Sequence, residues 1–290
     1  VNQLLRVQNF NVSSDGFAAG VHQSLERPFG HADPGKMFAW AGATASWPMR
    51  TDPGGSRGLD DYFTRDYARN IGAEIMGRNK FGPQRGPWPD HEWRGWWGDE
   101  PPFRTPVFVL THHTRPSFTL SDTTFHFVDG NPGTVLERAR EAARGKDVRL
   151  GGGATTIRQF LEADLVDTMH VAVSQVQLGS GVRLWESPDE LLDRFHLEVV
   201  PSPSGVTHHL SGEGDTRGRS GFQSAPLHKE PEDAPANSPG HFVRRTSSRR
   251  HDHVLPPARL GGGRPGSRCR FPLPPCPAPS DPAPSDDEPE

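Results

Sequence analysis

The run VRLGGGATTIRQF, residues 148–160, decides the fold. Residues 148–150 read as a short buried strand and residues 155–163 as a helix. Gly151, Gly152 and Gly153 fill the turn between them. Glycines at such a turn let backbone N–H groups approach a phosphate, and the helix N-terminus adds favourable partial charge. The same glycines would also serve a tight turn that needs positive φ. Both readings stand at this point, because the run is neither a Walker A sequence nor a full G-x-G-x-x-G.

Outward from that turn, strands alternate with helices. Residues 4–12 alternate apolar and polar and read as a first strand, closed by Ser13-Ser14-Asp15-Gly16. Residues 59–71 carry apolar side chains at the spacing of one helix face, and residues 73–77 form a short strand. Strands follow at 106–110 and 123–128, a helix at 134–144, and a strand at 168–176. Residues 194–200 and 206–210 pair as a closing hairpin across 201–205. This order predicts an α/β fold: a mostly parallel twisted sheet flanked by helices, with a C-terminal antiparallel hairpin. Two long Gly- and Pro-rich segments interrupt it. Residues 20–58 hold a short helix at 37–40 and read as a functional loop or lid. Residues 81–104 hold Trp88, Trp93, Trp96 and Trp97, which suit a wall for a flat heterocycle, a satellite of the core or a dimer contact.

Composition divides the chain near residue 210. Of the 30 prolines, 15 fall in residues 211–290, and Val, Leu and Phe together supply only 9 of those 80 positions. That profile cannot bury a core and predicts disorder. All seven Trp lie in residues 1–210, a length that supports one domain. The tail holds 11 basic and 11 acidic residues, so the formal charge of −4 belongs to residues 1–210. Neither part has the basic balance of a nucleic-acid or membrane surface, despite Arg244-Arg245 and Arg249-Arg250. Arg outnumbers Lys 10 to 1 in the tail, which is what an out-of-frame reading of GC-rich DNA near codon 211 would give. Cys269 and Cys276 are both in the tail, so residues 1–210 hold no disulfide and no cysteine metal site. No apolar run approaches the length of a membrane span, and a cytoplasmic protein is expected.

Two further strand ends carry candidate ligands. Gly77 ends one strand, with the cations Arg78 and Lys80 just beyond it, and Thr111, His112 and His113 follow another. Ligands bind beyond the carboxyl ends of strands in open parallel sheets. An arginine there can grip two phosphate oxygens at once, although a solvated surface cation is the plainer reading of Arg78 and Lys80. The His pair has no third ligand at metal spacing, so no metal is expected.

Taken in order, Asp15-Gly16, Met76-Gly77-Arg78, Val109-Leu110-Thr111 and Gly151-Gly152-Gly153 resemble the dihydrofolate-reductase-like family. The branch most similar is the reductase domain of the riboflavin-biosynthesis deaminase–reductase and its stand-alone bacterial relatives. Trp96-Trp97-Gly98-Asp99-Glu100-Pro101-Pro102-Phe103, Leu178-Gly179-Ser180-Gly181 and Ser204-Gly205-Val206-Thr207-His208-His209-Leu210 support the likeness, which covers about residues 4–210. It implies NADPH as cofactor, a small heterocyclic substrate and a homodimer. Arg78 with Thr111 and His112 would hold the adenosine 2′-phosphate end. Gly152, Gly153, Ala154 and Thr155 would cradle the pyrophosphate, and Gly77 would end the strand between them. The loop from Val12 through Asp15 to Gly16 would lie near the nicotinamide.

The implied activity is hydride transfer to a pterin, a pyrimidine such as a ribosylaminouracil phosphate, or a related ring. Dihydrofolate reductases carry a carboxylate on the helix before the Met-Gly-Arg strand, and spacing points to Asp61. Helical phase puts Asp61 opposite the apolar face, with Asp60 and Asp66 flanking that face. Each could equally be a solvated helix charge. The missing consensus acid and the altered C-terminus also fit a non-catalytic nucleotide-binding relative. A zinc deaminase activity is excluded for residues 1–210, which lack every cysteine such a site needs.

Overall fold

A computed structural model describes residues 3–213. Its strands are β1 (Leu5–Val12), β2 (Phe17–Ala19), β3 (Ile71–Gly77), β4 (Pro106–Leu110), β5 (Phe118–Leu120), β6 (Thr123–Val128), β7 (Asp147–Leu150), β8 (Thr168–Val173), β9 (Val182–Arg183), β10 (Phe195–Pro201) and β11 (Thr207–Glu213). The helices are α1 (Pro34–Met37), α2 (Ala39–Gly42), α3 (Leu59–Arg65), α4 (Arg78–Phe81), α5 (Pro132–Ala143) and α6 (Ala154–Glu162). Among the described residues, the main sheet has the order β10-β11-β8-β1-β7-β3-β4-β6-β5. Strands β8 to β6 in that order run parallel. The antiparallel pairs are β10 with β11, β11 with β8, and β5 with β6. The expected α/β architecture and its closing hairpin are present.

The central strands are apolar because helices cover them. Leu5, Val7, Ile75, Val148 and Leu150 are fully buried or nearly so, against Val135, Leu136 and Ala139 of α5 and Ile157 and Phe160 of α6. Helix α5 starts where Asn131 accepts a hydrogen bond from the Thr134 N–H and Pro132 sets the first-turn φ. It stops at Arg144, whose φ of 50° lies in the left-handed region. The tryptophan-rich segment forms a second core: Phe81, Trp88 and Phe103 pack on Val107, Phe125 and Phe127 of β4 and β6. Trp88 is thus a core residue, whereas Trp97 is only partly buried and stacks on Phe125 at a centroid distance of 6.0 Å. A third cluster joins Trp40 and Ala41 of α2 to Phe63 of α3, Ala172 and Val206.

Several expected boundaries shift. The helix expected over 59–71 ends at Arg65, passes through a single 3-10 turn at Asp66–Ala68, and breaks at Asn70, whose φ is 59°. Ile71, which fits the apolar spacing of that helix, instead opens β3. The strand expected to reach residue 176 ends at Val173. At the C-terminus, β11 continues past Leu210: Ser211, Gly212 and Glu213 pair with Leu197, His196 and Phe195. The last strand is therefore not cut at residue 210, and Ser211 is buried despite the polar sequence that begins there. The expected tail disorder and frameshift concern residues that, beyond 213, lie outside those described.

Candidate functional site

The carboxyl ends of β3, β4, β6 and β7 open into one cleft of about 2170 Å³. Residues from all four ends line it: Gly77 and Arg78, Thr111 and His112, Asp129 and Gly130, and Gly151 with Gly153, Ala154 and Thr155. The sequence-separated turns are brought together because parallel strands present all their carboxyl ends on one edge.

The glycine turn is built into β3. The Gly151 N–H donates to the Ile75 carbonyl and the Gly77 N–H to the Gly152 carbonyl, both at 2.8 Å. The Gly152–Gly153 peptide is cis, and Gly152 has a φ of 102°. A side chain at Gly77 would overlap the Thr156 hydroxyl, and one at Gly152 would overlap the Phe10 ring. A Cβ on Gly153, by contrast, would meet open space. Gly153 is the N-cap of α6 and no side chain caps that end. The first-turn N–H groups of α6 thus face the cleft without an intrahelical acceptor.

Arg78 is held at the end of β3 by stacking on Trp88, 3.9 Å from the ring centroid, and by donating from Nη1 to the Gly86 carbonyl. Its Nε and Nη2 are buried and have no hydrogen-bond partner among the described residues. Burial pushes this guanidinium below its ordinary pKa. Buried donors left without an acceptor are costly and suit an anionic ligand.

Lys80 does something the sequence did not suggest. Its Nζ turns inward, 3.1 Å from Glu74 Oε1 and 2.8 Å from the Gly151 carbonyl. Glu74 in turn pairs with Arg149, its neighbour across β3 and β7, and Arg149 donates to the Tyr67 hydroxyl at 2.7 Å. Burial works against the Arg149 charge, but Glu74 and Tyr67 outweigh it and raise the pKa. Burial lowers that of Lys80, with Glu74 opposing. This buried cluster braces the glycine turn from beneath; alternation alone would have placed Glu74 and Arg149 at solvated positions.

The other expected site residues are distributed unevenly. The Thr111 hydroxyl is committed to its own turn, accepting from the His113 N–H at 3.1 Å. His112 is almost fully exposed and lies 2.9 Å from Asp129. Gly152 does not itself line the cleft, and neither do Val12 and Asp15. Val12 is fully buried in β1. Asp15 accepts from Ser13 Oγ and the N–H groups of Leu178 and Gly179; burial raises its pKa, but these bonds together leave it lowered. It closes a loop and does not project toward the cleft. None of the three helix carboxylates lines the cleft either. Asp61 is buried and accepts from the Ser46 N–H at 2.8 Å, contrary to the solvated position its helical phase implies, because the 20–58 segment folds over it. Asp66 binds Arg6 and Gln8, and Asp60 lies 2.9 Å from His208 Nε2.

Sequence reasoning missed the opposite wall. Asn9 and Phe10 of β1 line the cleft, as do Phe29, Phe38, Trp40 and Trp47 from the 20–58 segment. The apolar content of that segment was visible, but nothing local said which side of it would face inward.

A mostly parallel sheet with flanking helices, a glycine turn opening a helix and a cleft at the strand ends define an α/β protein with a ligand-sized site at the carboxyl edge of its sheet. The chain belongs to the RibD C-terminal domain family, whose model matches residues 7–202. That membership supports a reductase-type function. Similar solved structures include a protein of Shewanella sp. PV-4 assigned to riboflavin biosynthesis, 20% identical, covering 74% of this chain and 99% of that one, with a TM-score of 0.42. A pyrimidine reductase-like protein from Corynebacterium diphtheriae is 14% identical, covering 73% and 92%, with a TM-score of 0.41. The deaminase/5-amino-6-(5-phosphoribosylamino)uracil reductase of Thermotoga maritima is 13% identical, covering 73% and 57%, with a TM-score of 0.40. No curated protein sequence matches the chain. Among the described residues, no helix is long and apolar enough to cross a membrane.

Proposed function

We propose that the protein is an NADPH-dependent reductase of a pterin, a pyrimidine or a related small heterocycle. One observation carries the reading: the buried, unpartnered Nε and Nη2 of Arg78 share a cleft with the uncapped first turn of α6. The two features fit the two phosphate sites of a phosphorylated dinucleotide. The guanidinium suits a phosphomonoester, and the backbone N–H groups of Ala154 and Thr155 suit a pyrophosphate. Gly153 leaves the room a backbone approach requires. A cofactor held there supplies a hydride, while the chain binds, orients and excludes water. Thr111 and His112 stand at the same edge and would flank the phosphomonoester.

The test is loss of NADPH absorbance with a panel of candidate acceptors, dihydrofolate and 5-amino-6-(5-phosphoribosylamino)uracil among them. Oxidation with one of the panel is expected. A second reading has its own support, since Asp60, Asp61 and Asp66 all stand away from the cleft. In that reading the protein binds the nucleotide without turnover. NADPH binding with no oxidation across the panel would favour it.

A further inference from the structure

The sheet order splits the cleft. Its β7-β3-β4-β6 side carries the glycine turn and Arg78, and the cations Lys80, Arg85 and Arg104 also belong to that side. The β1 side is walled by the 20–58 segment and has a different character. Phe29 and Phe38 meet edge to face with centroids 5.4 Å apart, and Trp40, Trp47 and Met49 continue the wall. Among the described residues, the cation on this wall is Arg27, which is exposed beside the oppositely charged, exposed Glu26.

One polar group on this wall is fixed in orientation. Asn9, at a φ of 50° in a bulge of β1, donates from Nδ2 to the Phe63 carbonyl at 3.0 Å. That bond sets the amide, so Oδ1 faces His170 Nδ1 at 2.8 Å. His170 Nε2 meets His208 Nδ1 at 2.9 Å, and His208 meets Asp60. Phe63 lies 4.3 Å from both imidazoles, stacked on His170 and tilted against His208, and Trp40 meets both edge to face, which locks the chain in place. An amide nitrogen has two hydrogens, and Phe63 uses one of them. The other has no partner among the described residues, and Asn9 lines the cleft.

We infer that the β1 side of the cleft takes an uncharged, planar ring compound without a phosphate, hydrogen-bonded by the pinned amide of Asn9. The inference rests on the reductase reading for the role of the opposite side. Aromatic walls favour flat rings, and a few fixed polar groups orient them. A phosphomonoester brings about one and a half to two negative charges. On this wall it would lose hydration and find, among the described residues, no buried cation in exchange. The substrate class therefore differs from the phosphoribosyl compound named for the Thermotoga maritima relative.

Tryptophan fluorescence quenching gives the test, with lumazine, 5-amino-6-ribosylaminouracil and the 5′-phosphate of the latter as probes, each with and without NADPH. Lumazine is expected to bind without being displaced by NADPH, and the phosphate is expected to bind at least about tenfold more weakly than its parent nucleoside, a difference of about 1.4 kcal/mol. Met49→Arg, at a rim position 40% exposed, adds a cation and is expected to narrow that gap. No binding of lumazine, or binding of the phosphate as tight as or tighter than the nucleoside, would overturn the inference. NADPH affinity is measured in the same cell without ring compounds. Its absence would sink the reductase reading and leave the comparison between ring compounds intact.

Discussion

Arg78 and Glu74 lie four residues apart at one strand end and have opposite tasks. Arg78 keeps two buried donors without an acceptor among the described residues, so a phosphate at that place gains charge-assisted bonds. Arg78→Gln is expected to weaken NADPH binding by about tenfold to a hundredfold. NADH, which lacks the phosphomonoester, should bind the variant and the parent alike. Equal losses for both nucleotides would assign Arg78 a merely structural part. Glu74 has no ligand role; it neutralises Arg149 and Lys80 under the glycine turn. Glu74→Gln strands the buried Arg149 and takes a partner from the half-buried Lys80, and urea denaturation should show a loss of about 3–5 kcal/mol. At this scale the sequence was partly readable. The residue types at the strand ends suggested phosphate ligands, and Arg78, Ala154 and Thr155 line the cleft. The inward turn of Lys80 and the burial of Asp61 depend on partners 71 and 15 residues away, which no local spacing reveals.

Between elements, the decisive contact is β3 against the start of α6. Gly77 leaves no room for a side chain because Thr156 Oγ1 occupies that space. Gly77→Ala should push the helix start outward, lowering the thermal midpoint and weakening NADPH binding at least about tenfold. Thr156→Ala in the same chain removes the obstructing atom and should restore much of both properties. A double variant no better than Gly77→Ala alone would show that the close approach is not what fixes the helix. The long elements were legible because their apolar periods are long: β4, β6, α5 and α6 stand within a residue or two of where the pattern puts them. The two- and three-residue strands β2, β5 and β9 were not, since so short a run has no period. The helix ending at Arg65 was misread because Tyr67 and Ile71 keep its apolar spacing while the backbone has already turned through Asn70.

Across the whole molecule, the buried imidazoles link stability to pH. Burial holds His170 well below the ordinary imidazole value, with His208 and His209 adding to the effect. Burial also lowers His208, opposed by Asp60, and lowers His209, with His208 beside it. These groups take up protons more readily when unfolded, near pH of about 6.5, than when folded. Their contribution to stability is therefore present above that pH and lost as pH falls through it. The unfolding free energy from urea denaturation should fall as pH is lowered from about 7.5 to about 5.5, by up to about 1.4 kcal/mol per pH unit for each imidazole involved, and the midpoint with it. A midpoint that is unchanged or rises would contradict this. None of the three histidines was singled out for titration in the sequence, because their pairing across β8, β11 and α3 is a property of the assembled sheet.

The central claim is that the strand ends around Gly77, Arg78 and the 151–155 turn form a site for NADPH. Titration of the purified protein with NADPH, followed by calorimetry, addresses it most directly. A dissociation constant near the micromolar range, worth about −8 kcal/mol, is the expected result. An affinity no tighter than about millimolar, or about −4 kcal/mol, would contradict it.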